Sequence, residues 1–228
     1  FVVVAAEQPT GRGRLPRRWA APPRSSLLVS ILFRPPDSLS FYAARTTMVC
    51  GLALLAAVRA ETDVAVRLKW PNDLIVERPG GWQKLAGMLS EFGVDGGEPS
   101  CLVVGIGLNV NVPVDVLPHL ARNATSLLAL RGRPLDRGPL LDRLLTGIES
   151  RYDALLAGQD PLPAWRTALA WMGKSVEVTT PHGTISGVAV GVDEAGALRV
   201  KLSEDEVRRF TVGDVSLRPA PESPLSRS

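Results

Sequence analysis

Apolar residues along this chain fall into short runs, separated by breaks rich in glycine, proline and arginine. Residues 1–6 form a continuous apolar run bounded by Glu7-Gln8-Pro9, the pattern of a buried strand. Leu27 to Phe33 predict a second strand. Between them, residues 7–26 collect glycine, proline and several arginines and read as a long polar loop, of the kind that often carries function. Ser38 or Ser40 can cap a helix that continues through an Ala/Leu-rich run to about Ala60. Further strands are predicted at Val64–Leu68, Leu74–Val76, Leu85–Phe92 and Leu102–Val110. Leu140, Leu141, Leu144, Leu145, Ile148, Tyr152 and Leu155 recur at helical spacing and predict a helix from Gly138 to Leu156. Pro161 or Pro163 opens another helix, running to about Trp171.

The texture changes after Gly173. Val176-Glu177-Val178 and Leu198-Arg199-Val200-Lys201-Leu202 alternate, while His182-Gly183 and Glu194-Ala195-Gly196 mark turns. Four or five short strands in under fifty residues predict a small antiparallel barrel. The expected organisation is a larger domain over 1–172, a small barrel over 173–220 and a frayed Pro/Ser-rich tail over 221–228. Phe1-Val2-Val3-Val4 already reads as a strand, so a further upstream segment is expected.

Composition narrows the class. At 228 residues, 45% hydrophobic and 21% charged, the chain has the make-up of a soluble globular protein. A net charge of +3 does not by itself call for a nucleic-acid partner. Cys50 and Cys101 both sit in apolar surroundings and are expected as buried thiols, without a disulfide or a zinc site. No membrane association is expected, since no apolar run approaches a bilayer span, and the default compartment is the cytoplasm.

Four islands carry the chemistry. Gln8 through Trp19 combines an amide, glycines at 11 and 13, arginines at 12 and 14, and an indole. It is either a solvated basic loop or a lid for a ligand with polar, anionic and flat parts. It is neither a Walker loop nor a dinucleotide fingerprint, because the required glycine and lysine spacings are absent. Lys69-Trp70-Pro71-Asn72-Asp73 is either a tight turn or a carboxylate offered to a magnesium-bound phosphate. Lys84-Leu85-Ala86-Gly87-Met88-Leu89-Ser90-Glu91 and Gly105-Ile106-Gly107-Leu108-Asn109-Val110-Asn111 place glycines where strands should carry side chains. Two such strands suggest the floor of a pocket rather than a solid core. His119 and His182 both lie outside the islands, which argues against a histidine base or a Ser-His-Asp triad.

In order and approximate spacing, these four islands resemble the biotin protein ligases (biotin–acetyl-CoA-carboxylase ligases). Gly173-Lys174-Ser175-Val176 and Gly213-Asp214-Val215-Ser216-Leu217-Arg218 look like the ends of that family's small C-terminal barrel. The resemblance covers nearly the whole chain. It implies an α+β fold, a mixed β-sheet with helices as in class II synthetases, followed by an SH3-like barrel. It implies an enzyme that joins biotin to ATP, with Mg²⁺, to give biotinyl-5′-AMP, and then passes biotin to a lysine of a biotin carboxyl carrier domain.

By the same resemblance, Lys84 would bridge the biotin carboxylate and the α-phosphate as the catalytic residue. Gln8 would bind the ureido ring, the backbone at Arg12 would reach its carbonyl oxygen, Gly13 would join the biotin-binding residues, and Arg12 and Arg14, which also count among those, would order the loop over the phosphate. Gly87, Leu89, Gly105 and Gly107 would shape the biotin pocket, Trp19, Asn72 and Asn109 would belong to the ATP side, and Asp73 would sit near Mg²⁺. Residues 9–18 are expected to be disordered or alternately placed without ligand and ordered over the adenylate. Two departures stand out: the family's upstream Ser-Thr-Asn loop is not in this sequence, and Pro16 replaces a usual glycine, removing an N–H donor.

Two other readings remain. A lipoate–protein ligase would share the adenylation chemistry, and a nucleic-acid-binding module would use the arginines of residues 12–24 on phosphates. DNA binding is not expected, because no helix-turn-helix pattern opens the chain. Sequence leaves monomer and ligand-promoted homodimer open.

Overall fold

The structure is a computed structural model, and it describes residues 1–13, 18–35, 39–79, 81–180, 183–211 and 216–219. Arg14, Pro16, Ser38, His182, Gly213-Asp214-Val215 and the expected tail at 221–228 lie outside the described residues. The chain divides into two compact units, Phe1–Ala168 and Leu169–Ser228.

The first unit holds β1 (Val2–Ala5), β2 (Ser26–Phe33), α1 (Leu39–Glu61), β3 (Arg67–Lys69), β4 (Asp73–Arg78), β5 (Gly81–Asp95) and β6 (Glu98–Asn109). Four helices follow: α2 (Leu117–Leu120), α3 (Leu127–Arg131), α4 (Arg137–Leu156) and α5 (Leu162–Ala168). The strands form one sheet in the order β1-β2-β6-β5-β4-β3, with antiparallel ladders throughout. The parallel element is an isolated bridge between Lys84 and Ala124. This α+β sheet-and-helix architecture fits the expected fold class.

One face of the sheet is the core. Phe33 of β2 stacks on Tyr152 of α4 with ring centroids 4.8 Å apart, and Met88 of β5 reaches Gly51 of α1. Val29, Ile31, Val104, Ile106 and Leu108 follow the same alternation and are buried. Helix α1 contacts the sheet, α4 and α5, so apolar residues surround much of its circumference and it lacks a clean amphipathic stripe. Its stretch Phe41–Glu61 has the length and hydropathy of a membrane span, contrary to the expectation that no segment would. Here that apolarity is spent on packing: Val49, Cys50, Leu54 and Val58 are fully buried. Cys50 and Cys101 are free and buried, and burial pushes the Cys50 thiol up to about 12.

Helices α2 and α3 are not anticipated by periodicity, being four and five residues long. Helix α3 is instead set by its ends: Ser126 accepts from Ala129 N–H as N-cap, and Gly132 closes it at φ 69°.

The second unit contains β7 (Ser175–Thr180), β8 (Gly183–Val192), β9 (Leu198–Lys201), β10 (Val207–Phe210) and β11 (Ser216–Pro219). They form an antiparallel sheet in the order β10-β9-β8-β7-β11, which fits an SH3-like domain. Val176, Val178, Ala189, Val192, Leu198, Val200 and Phe210 supply its core. The β8–β9 turn is held by Asp193, whose Oδ1 accepts from the N–H groups of Ala195 and Ala197.

Candidate active site

The face of the first sheet opposite α1 and α4 carries the candidate residues, and strand register lines them up in rows. Lys69, Asp73, Gly87, Gly107, Leu28 and Ala5 are successive cross-strand partners from β3 to β1. One pleat along, Leu89, Gly105, Ser30 and Val3 form the next row. The two glycine-bearing strands are therefore neighbours, and their glycines meet: Gly87 opposes Gly107, leaving a shelf without side chains.

Lys84 reaches this shelf through a bulge. Ile75 pairs with Lys84 and Leu74 with Ala86, so Leu85 is an extra residue in β5. Strict alternation would place Lys84 and Gly87 on opposite faces; the inserted residue brings them to the same one. A Cβ added at Gly87 would lie 2.9 Å from Lys84 Nζ. Leu85 itself is fully buried.

The Lys84 ammonium lies 2.6 Å from Asp73 Oδ1, and Lys69 Nζ donates to Asp73 Oδ2 at 3.4 Å. Lys69 also lies 4.8 Å from the ring centroid of Trp82. Burial alone would raise the Asp73 carboxyl, but the ammoniums of Lys69 and Lys84 outweigh it and hold the group below the usual carboxylate range. Each carboxylate oxygen thus already has a cation. The expectation of Mg²⁺ at Asp73 does not fit this arrangement, since a metal there would stand against two ammonium groups. Among the described residues no cluster of three or more His, Cys, Asp or Glu side chains could hold a metal.

The arginine loop is closed at its neck over the shelf. Trp19 N–H donates to Gly11 O at 3.0 Å, and Arg12 bridges Arg18 as in an antiparallel pair. A Cβ at Gly11 would run into the Trp19 carbonyl and come within 3.1 Å of Gln8 Oε1, so glycine is what permits this neck. The Trp19 indole lies against the glycine shelf: a Cβ at Gly107 would fall 2.7 Å from Trp19 Nε1 and Cζ2. Lys84 Nζ is 5.7 Å from the Trp19 ring. Arg12 ties the loop to the sheet through Glu91 of β5 at 3.0 Å. Trp19 thereby lies against Lys84, Gly87 and Gly107, with Gln8 beside Gly11 and Arg12 tied to Glu91; Arg14 lies outside the described residues.

On the far side of Lys84, residues 123–125 act as a bracket. Lys84 N–H donates to Asn123 O at 2.7 Å, and Thr125 N–H donates to Lys84 O at 2.9 Å. Asn109 Nδ2 donates to Thr125 O at 3.0 Å, while its buried Oδ1 has no partner among the described residues. Ser26, the cross-strand partner of Asn109, has a buried hydroxyl that likewise finds no partner among them. Asn72 is used differently from its expected place on the ATP side: its Nδ2 donates to Met88 O, and its own carbonyl accepts from Met88 N–H at 2.9 Å. It braces the 70–73 turn against β5.

Sequence reading missed Lys69 as a buried partner of Asp73, Glu91 as the anchor of Arg12, and the Asn123–Thr125 bracket. Ser126 before Leu127-Leu128, a cap signal ahead of an apolar run, was the one available pointer to the bracket.

Comparison with known proteins agrees with this geometry. Residues 1–109 match the biotin/lipoate A/B protein ligase family, and residues 172–218 match the biotin protein ligase C terminal domain. The chain is 35% identical over 203 residues to the biotin–[acetyl-CoA-carboxylase] ligase of Mycobacterium tuberculosis, covering 86% of this chain and 71% of that protein. It is 28% identical over 219 residues to the bifunctional ligase/repressor BirA of Bacillus spizizenii, spanning 95% of this chain and 66% of the relative's length. The solved biotin protein ligase from Aquifex aeolicus in complex with biotin and ATP superposes with a TM-score of 0.76 at 28% identity, over 96% of this chain and 89% of that one. The two family matches, together with 35% identity over most of the Mycobacterium tuberculosis ligase, place the chain in the biotin protein ligase family.

Proposed function

We propose that the protein is an ATP-dependent ligase that forms biotinyl-5′-AMP from biotin and ATP, then transfers biotin to a specific lysine of a biotin carboxyl carrier protein. The observation that carries this reading is the Lys84 ammonium, set by the β5 bulge beside a bare glycine shelf and under the arginine loop. The printed names of the relatives and the biotin and ATP bound by the Aquifex aeolicus enzyme support it.

In the first step a biotin carboxylate oxygen attacks the α-phosphorus of ATP. The bond to the β-phosphate oxygen breaks, and pyrophosphate leaves with its electron pair. Lys84 would lie between carboxylate and α-phosphate, neutralising charge as it concentrates in the transition state. Gly87, Gly105 and Gly107 give the ring system room, with Leu89 as an apolar wall. Gln8 and the loop backbone at Arg12 and Gly13 would bind the ureido group, and Arg12 and Arg14 the phosphates. Asn109 has an open acceptor for an exocyclic amine such as that of adenine. Trp19 would pack against the adenylate and keep water from the mixed anhydride.

In the second step the carrier lysine amine attacks the acyl carbon, the bond to the AMP oxygen breaks, and the amine proton passes to solvent. Neither step needs a proton moved by Lys84; the work of the site is alignment and charge. The test is biotin-dependent ATP–pyrophosphate exchange, with lipoate in parallel, followed by transfer to a carrier domain. Exchange with biotin and not lipoate is expected; exchange with neither would overturn the reading.

A further inference from the structure

Lys69 is one of the most buried charges among the described residues, with its side chain 5% exposed. Its ammonium donates to Asp73 Oδ2, while Lys84 holds Oδ1 at 2.6 Å. The two lysines differ in freedom. Lys84 is 30% exposed on its side chain and faces the open shelf; Lys69 is shut in between Asp73 and the Trp82 ring. Asp73 is almost as enclosed as Lys69, at 10%.

This arrangement has a consequence for any ligand that draws on Lys84. A carboxylate or phosphate that recruits the Lys84 ammonium takes it from Asp73. A buried carboxylate stripped of its only cation is strongly unfavourable, so Lys84 would be trapped on Asp73 were it the sole partner. Lys69 removes the trap, because its hydrogen bond to the other oxygen persists when Lys84 leaves. We propose that Lys69 is a positioning residue for adenylation: it carries the charge of Asp73 while the Lys84 ammonium swings from that carboxylate to the anionic ligand. Asp73 is then a parking site for Lys84, which accounts for both its oxygens facing lysines rather than a metal.

The inference rests on the ligase reading and is tested with it by a double-mutant cycle on pyrophosphate exchange. Lys69→Met is expected to lower the exchange rate at saturating biotin and ATP about tenfold, and Lys69→Arg to recover most of it. The same Lys69→Met change in an Asp73→Asn background, where no carboxylate is left to strand, is expected to cost less than about twofold. Equal losses in the two backgrounds would show a merely structural lysine and overturn the proposal. Should Lys69→Met fail to fold, wild-type protein with ¹⁵N-labelled lysine decides the matter, the Lys69 ammonium signal being assigned by its loss in Lys69→Arg. That signal is expected to shift when biotin and a non-hydrolysable ATP analogue are added together, and an unchanged signal on saturation overturns the proposal. No biotin-dependent exchange by the wild type would overturn the ligase reading and this inference together; wild-type exchange with an unmoved Lys69 overturns this inference alone.

Discussion

Gly87 and Gly107 oppose each other across β5 and β6, and the Trp19 indole lies on the bare backbone they leave. A methyl group at Gly107 would come within 2.7 Å of three indole atoms, Cε2, Cζ2 and Nε1, so the shelf and the loop cannot both keep their places. Gly107→Ala is therefore expected to displace Trp19 and to intrude on the proposed ring pocket. Overpacking of this kind costs about 1–3 kcal/mol, which corresponds to a rise in the KM for biotin of about 5- to 150-fold. Biotin titration of the exchange reaction checks this; an unchanged KM would show that the shelf is not where biotin lies.

Lys84 stands at the centre of the proposed chemistry, and its loss should be felt in rate more than in stability. Lys84→Ala still leaves Asp73 its Lys69 partner, so no buried charge is abandoned. Single-turnover formation of biotinyl-AMP is expected to fall by about 10²–10³, with far-UV circular dichroism unchanged. Undiminished labelling of a carrier domain by the variant would remove Lys84 from the mechanism.

The sheet was largely legible in the sequence because its strands announce themselves as apolar runs, and Gly105 and Gly107, two residues apart, necessarily share a face. Lys84 was harder. An odd spacing from Gly87 puts it on the wrong face under strict alternation, and only the extra Leu85 corrects that. Helices α2 and α3 are too short for a periodic signal, so the bracket that binds Lys84 through Asn123 and Thr125 stayed hidden. Asp73 shows the limit from another side. A Pro-Asn-Asp string gives a turn and a carboxylate, but which cations reach that carboxylate depends on β3 and β5 lying on either side of β4.

Asp73 also sets an acid limit on stability. Its folded-state carboxyl is held below the value of about 3.9 that it takes in the unfolded chain. The group therefore stabilises the fold above that pH, and the contribution is lost as pH falls through the lower folded value. Asp73→Asn lacks it at every pH. Urea unfolding is expected to show the wild type ahead of the variant at pH 7, with the gap narrowing below about pH 4. A gap that stays constant down to pH 2 would contradict the two-lysine pairing.

Cys50 offers a check on the core. Burial holds its thiol at about 12, so almost no thiolate exists at pH 8. Cys50 in the native protein is expected to resist a disulfide-exchange reagent for as long as the fold stays closed, and to react promptly in denaturant. Cys101→Ser isolates the signal. Rapid reaction of Cys50 in native protein would mean that α1 opens readily from the sheet.

The arginine loop supplies the last prediction. Among the described residues its neck is held by the Trp19–Gly11 backbone hydrogen bond of the Arg12–Arg18 bridge, by the Arg12–Glu91 pair and by the indole on the shelf. The ion pair is exposed, with the Arg12 side chain 76% accessible, and such pairs contribute little. The segment carries trypsin sites at Arg12, Arg14, Arg17 and Arg18, so cleavage there reports opening of the loop in the free protein. Biotin with ATP would add phosphate contacts to the arginines and a flat partner for the indole, all made only when the loop is shut. Cleavage within residues 12–18 is therefore expected to slow about tenfold or more when both substrates are present, and little with ATP alone. Glu91→Gln should leave that protection nearly intact, whereas Gly11→Ala, which collides with the Trp19 carbonyl, should abolish it. Equal cleavage with and without biotin plus ATP would show that the loop is no lid.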